Sequence, residues 1–91
     1  MSRREGTMLA RNGEAIEVFG WEPGNGTRYD LTFAKRSGGG WFVAWPEAGL
    51  VGLVRPGHDE VFIEPRGKGW PEGDLVAVAD LATELYDGGS L

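Results

Sequence analysis

Glycine and proline break this chain into short pieces as far as Pro71, and that punctuation limits the fold more than any other feature. Pro23-Gly24-Asn25-Gly26, Ser37-Gly38-Gly39-Gly40, Pro46-Glu47-Ala48-Gly49 and Pro56-Gly57 separate runs rich in aromatic and β-branched residues, the pattern of strands bounded by turns. The runs are Thr7 to Arg11, Ala15 to Trp21, Arg28 to Arg36, Trp41 to Trp45, Leu50 to Val54 and Val61 to Glu64, the last closed by Pro65. Connections this short join antiparallel neighbours, because a parallel crossover needs about a dozen residues or more. Asn12-Gly13, between the first two runs, favours a type I′ hairpin turn with positive φ at both residues.

Alternation is clearest between Arg28 and Arg36, where Tyr29, Leu31 and Phe33 point one way and Arg28, Asp30, Thr32 and Arg36 the other. After Trp70-Pro71 the period changes. Leu75, Val78, Ala79, Leu81, Ala82, Leu85 and Tyr86 recur at helical spacing, and Asp80, Glu84 and Asp87 share the opposite side. Asp74 is placed to cap this helix, or Pro71 to occupy its first position, and Gly88 to end it in the left-handed conformation. The partly β-branched start Leu75-Val76-Ala77-Val78 leaves a strand over 75–79 as the alternative. The expected architecture is α+β: an antiparallel meander of five to six short strands, curled, and packed on one C-terminal amphipathic helix. Residues 7–87 form that single domain, flanked by flexible tails at 1–6 and 88–91.

With 91 residues the chain has room for one core, and its 41% hydrophobic and 25% charged residues lie near the globular average, far from disorder. The absence of cysteine removes disulfides, zinc-thiolate sites and thiol nucleophiles. No apolar run approaches the roughly eighteen residues of a membrane span, and none follows the basic start as a signal peptide requires, so the cytoplasm is the expected location. A net charge of −5 opposes general attraction to nucleic acid or anionic lipid.

Reactive groups are sparse. His58-Asp59-Glu60 has acid-base character, but adjacent residues at the tip of a turn seldom converge on one atom. Arg66-Gly67-Lys68-Gly69 precedes the helix start as a phosphate loop would, without the spacing of a nucleotide-binding motif and with Glu72 and Asp74 placing negative charge at the same point. No enzyme activity, cofactor or metal is expected.

The four tryptophans carry more information. If the hairpin loop at 37–40 holds four residues, Trp41, Val43 and Trp45 share a face with Arg28, Thr32 and Arg36; a three-residue loop moves the tryptophans to the core, since a one-residue slip exchanges the faces. In either register Phe42 and Ala44 make the other side of that strand apolar, so it calls for cover on both faces. The expected function is that of a non-enzymatic protein-interaction module, an accessory or inhibitory protein of the size and composition that suit a phage or bacterium. It binds a partner protein or a second copy of itself through Arg28, Thr32, Arg36, Trp41, Val43 and Trp45, with Asp80, Glu84 and Asp87 as a secondary surface. A sheet platform for single-stranded nucleic acid, stacking bases on Trp41 between Arg28, Lys35 and Arg36, is the alternative, disfavoured by the net charge.

Overall fold

A computed structural model of the chain describes residues 8–91. It consists of β1 (Met8–Asn12), β2 (Ala15–Trp21), β3 (Tyr29–Lys35), β4 (Trp41–Trp45), a short 3-10 turn (Pro46–Ala48), β5 (Leu50–Pro56), β6 (Val61–Arg66) and one helix, α1 (Glu72–Asp87). The strands form a single antiparallel sheet in chain order, curled around α1 and left open, so that β1 and β6 are its edges. This is the expected α+β meander with its C-terminal helix. The segment 75–79 is helical throughout, and the expected tail at 1–6, together with Thr7, lies outside the described residues.

The inner face of the sheet holds the core. Ile16, Val18, Trp21, Tyr29, Leu31, Phe33, Val43, Trp45, Val54 and Ile63 are buried there against Ala77, Val78, Leu81, Ala82 and Leu85 of α1. The helix lies beside β6, where the Val61 amide donates to the Thr83 hydroxyl at 3.2 Å while that hydroxyl donates to the Ala79 carbonyl at 2.9 Å. One edge amide of β6 is thereby satisfied by the helix. Among the described residues, no helix is long and apolar enough to cross a membrane.

Turns and caps depart from expectation by single residues. At the β1–β2 hairpin Asn12 pairs with Ala15, which makes Gly13 and Glu14 the central residues. Only Gly13 has positive φ (65°), the pattern of a type II′ turn with glycine first, not the type I′ turn expected at Asn12-Gly13. Pro71 stands at the helix N-cap and no side chain caps it. Gly88 remains right-handed at φ −82°, and Gly89 takes the left-handed turn at φ 84°. The chain then folds back: the Ser90 amide donates to the Leu85 carbonyl, Arg11 donates to the Ser90 carbonyl at 3.0 Å, and Leu91 packs against the core. Residues 88–91, expected as a tail, are tied to both α1 and β1.

Asp74 serves the core instead of the cap. Tyr29, fully buried, donates its hydroxyl to the Asp74 carboxylate at 2.5 Å and accepts from the Asn25 amide at 3.0 Å, joining the β2–β3 loop, β3 and α1. Its ring lies between Trp21 at 5.3 Å and Trp45 at 4.7 Å, and Trp70 follows Trp45 at 6.3 Å. Burial, followed by the bond to Asp74, pushes the Tyr29 phenol above its ordinary 10.0. The folded state therefore holds this proton more tightly than the unfolded chain, and the resulting stability is present below pH 10 and lost as pH rises beyond it. Tyr29→Phe is expected to destabilise by about 1.5–3 kcal/mol, the usual range for a hydrogen bond to a charged group. In urea titrations the gap between the two proteins should narrow above pH 10; a gap of the same size on both sides of that pH would show that the phenol proton does not carry the difference.

Candidate functional site

The hairpin joining β3 and β4 decides what the surface looks like. Lys35 pairs with Trp41, Ala34 with Phe42 and Phe33 with Val43. The Arg36 amide donates to the Gly40 carbonyl at 3.0 Å, closing a loop of Ser37, Gly38 and Gly39. This is the shorter of the two loop readings, and it places Trp41, Val43 and Trp45 on the inner face with Phe33. The six residues expected to share a binding face are thus divided. Val43 and Trp45 belong to the core, and Trp41 is half-buried, edge-on to Tyr86 at 5.8 Å. Thr32 and Arg36 point outward, and Arg28 is exposed just ahead of β3. The physical reason is register alone: an odd loop length turns every side chain of β4 over.

What the register takes from the tryptophans it gives to their neighbours. On the outer face, hydrogen-bonded pairing aligns Glu17, Thr32, Ala44, Val51 and Arg66 in one row across the sheet, and Ala15, Ala34, Phe42, Leu53 and Glu64 in the next. A solvated sheet face normally alternates toward polar residues. Here the centre is alanine, phenylalanine, valine and leucine. Among the large apolar side chains of this face, Phe19, Phe42, Val51 and Phe62 are between 40% (Phe19) and 52% (Phe62) exposed and Met8, paired with Phe19, is 63% exposed, while Leu53 between Phe42 and Glu64 is only 2% exposed. No element of the described chain covers them. Polar groups ring the patch: the Arg36 guanidinium stands over the Phe42 ring at 5.4 Å, Arg55 pairs with Glu64 at 2.7 Å, and the Asp30 carboxylate accepts the Gly20 amide at 2.7 Å.

Comparison with known families, curated proteins and solved structures found no match to this chain.

The remaining sequence candidates lie apart from this face. Asp80, Glu84 and Asp87 are exposed on α1; the first two border a shallow depression with Trp21, Pro23 and Val76. His58, Asp59 and Glu60 occupy the β5–β6 turn, all exposed, and among the described residues no group of three histidines or carboxylates is gathered as a metal site. Lys68 lies by the helix start in a depression shared with Trp45, Trp70 and Asp74. There Trp70 donates to the Val51 carbonyl at 3.1 Å, whereas the buried Trp45 indole nitrogen has no hydrogen-bond partner among the described residues.

The outer-face residues Phe19, Val51, Leu53 and Phe62 do not stand out in the sequence as a site. Their one signal is shared by Phe42 and Ala44: a strand apolar on both sides.

Proposed function

We propose that the protein is a non-enzymatic protein-interaction module whose docking surface is the outer face of the sheet around Phe42. The observation that carries this is the apolar centre of that face, where Phe42 and Val51 stand exposed beside the half-buried Ala34 and Ala44 and no other element of the described residues lies over them. Contiguous apolar surface rimmed by charge is the usual mark of a protein-binding site, and phenylalanine beside arginine supplies the anchors that dominate such interfaces. The role that fits is an accessory or inhibitory subunit that occupies another protein.

Exposed Phe19, Phe42 and Phe62 beside Arg36, Arg55 and Arg66 also resemble a stacking platform for single-stranded nucleic acid. Two features weigh against it. Arg36 already covers the Phe42 ring, and Glu17, Asp30 and Glu64 interleave with the cations in a chain of net charge −5.

A photo-crosslinking residue at position 42, activated in the native cytoplasm, distinguishes these readings. The expected result is a polypeptide adduct, lost with Val51→Glu on the same face and kept with Val76→Glu on α1. An adduct to nucleic acid, or none at all, would overturn the proposal.

A further inference from the structure

We infer that the protein dimerises through the open edge of its sheet: β1 pairs antiparallel with the β1 of a second copy, about a twofold axis that passes beside Ala10, perpendicular to the sheet. This is a different surface from the outer face, and it does not depend on what docks there.

The β1–β2 hairpin dictates which main-chain groups lie free. Asn12 and Ala15 flank a two-residue turn, so they exchange both hydrogen bonds, and alternation makes Ala10–Glu17 and Met8–Phe19 bonded pairs as well. The bond from the Lys35 amide to the Glu14 carbonyl at 3.3 Å fits the same alternation on the far side of β2. Leu9 and Arg11 lie between the bonded pairs. Their amides and carbonyls therefore point out of the edge, where no described residue bonds to them. One end of β1 is also apolar on both faces: Met8, 63% exposed, pairs with the outward Phe19, and Leu9, 50% exposed, pairs with the buried Val18. A partner lying on either face covers one of these side chains. A strand added at the edge covers both and supplies the four missing hydrogen bonds. Met8–Asn12 contains no proline, lysine or bulge of the kind that ordinarily protects an edge.

Two observations select the strand's own copy. First, β6 is closed to an incoming β1. The Val61 amide points outward to the Thr83 hydroxyl, Ile63 and Pro65 share its direction along the strand, and Pro65 has no amide to give. Head-to-tail addition is blocked, and β1 on β1 is the edge pairing left between copies, which ends at two chains. Second, β1 is self-complementary about Ala10. In that register Leu9 exchanges both bonds with the partner's Arg11, and Arg11 with the partner's Leu9, so all four free groups are satisfied. Leu9 lies against the aliphatic stem of the partner's Arg11, Met8 against the partner's Asn12, and Ala10 against its own copy, without a like-charge contact. Centring the pair on Arg11 opposes two guanidinium groups, and centring it on Leu9 leaves the Arg11 groups without a described partner. The dimer joins the two six-stranded sheets into one, with both Phe42 faces on the same side. Strands of five residues touch over about 17 Å, which buries less than a strong interface does, so the dimer is concentration-dependent.

The chain has no cysteine, so single thiols read the register directly. Ala10 faces its copy at a non-hydrogen-bonded position, with about 4.5 Å between Cα atoms, within disulfide reach. Met8 lies about 14 Å from its copy. In a glutathione redox buffer Ala10→Cys is expected to form a disulfide-linked dimer about tenfold faster than Met8→Cys, because the paired thiols meet at high effective concentration. Met8→Cys mixed with Asn12→Cys should link as a heterodimer. Sedimentation velocity of the parent from about 10 μM to about 1 mM is expected to show a monomer–dimer equilibrium. Leu9→Pro should raise its midpoint by about tenfold or more with melting near the parent's, since an edge strand tolerates the loss of an outward amide. Should that variant fail to fold, Leu9→Lys sets a lysine against the partner's Arg11 and leaves the β1–β2 bonds intact, with the same expected rise. A parent that stays monomeric to about 1 mM, a folded Leu9 variant that dimerises as strongly as the parent, or Ala10→Cys linking no faster than Met8→Cys would overturn the inference. None of these results bears on the outer face, which the position-42 crosslink tests separately.

Discussion

Trp45→Ala is expected to destabilise the protein by about 3–5 kcal/mol, the range for removing a large buried aromatic side chain. The indole lies between Tyr29 and Trp70 and belongs to the buried cluster shared by sheet and helix. For a domain whose total stability is on the order of 5–10 kcal/mol, that loss leaves little folded protein at elevated temperature. Phe42→Ala, three residues away on the same strand, should change stability by less than about 1 kcal/mol, because the side chain is partly in water already. Urea titration of the two variants, with the protein monomeric, measures both. If Phe42→Ala proved the more damaging, β4 would have to be turned over relative to the register described, and the tryptophans would return to the surface.

Leu81→Ala carries the second large effect, about 2–5 kcal/mol. Leu81 is buried at the centre of the helix face that closes the inner side of the sheet. Truncation leaves a cavity between two rigid layers that cannot collapse into it, so both the transfer and the cavity penalties apply. Val76→Ala, on the exposed side of the same helix, should lie within about 0.5 kcal/mol of the parent. A loss below half a kcal/mol for Leu81→Ala would show that α1 does not cover the core.

Much of the architecture was legible because local rules determine it. The glycine and proline breaks around Ala15–Trp21 and Trp41–Trp45 bound strands that the structure reproduces at the same residues. Alternation placed Tyr29, Leu31 and Phe33 on one face, and helical spacing placed Leu81 and Leu85 against it. Where expectation missed by a residue, the competing interaction can be named. Asp74 does not cap the helix because its carboxylate accepts the buried Tyr29 hydroxyl. Gly88 does not take the left-handed position because the chain turns one residue later, where Gly89 donates to the Tyr86 carbonyl.

The candidate site was less legible, although its residue types were plain. The apolar character of both sides of β4 is written in Trp41, Phe42, Val43, Ala44 and Trp45 and holds in any register. Which side is buried depends on a glycine-rich loop that can close with an odd or an even number of residues, and the loop's own sequence, Ser37-Gly38-Gly39-Gly40, has no preference strong enough to choose. Tertiary packing chooses. Burying Val43 and Trp45 against Phe33, Tyr29 and the helix removes more apolar area from water than burying Phe42 and Ala44, and the aromatic stack is completed only in that register. The sequence by itself thus determined a meander of five to six strands, a helix on one face and a fourth strand with two apolar sides; the structure alone decided that the strands number six, that the tryptophans go inward and that Phe42 is left facing outward.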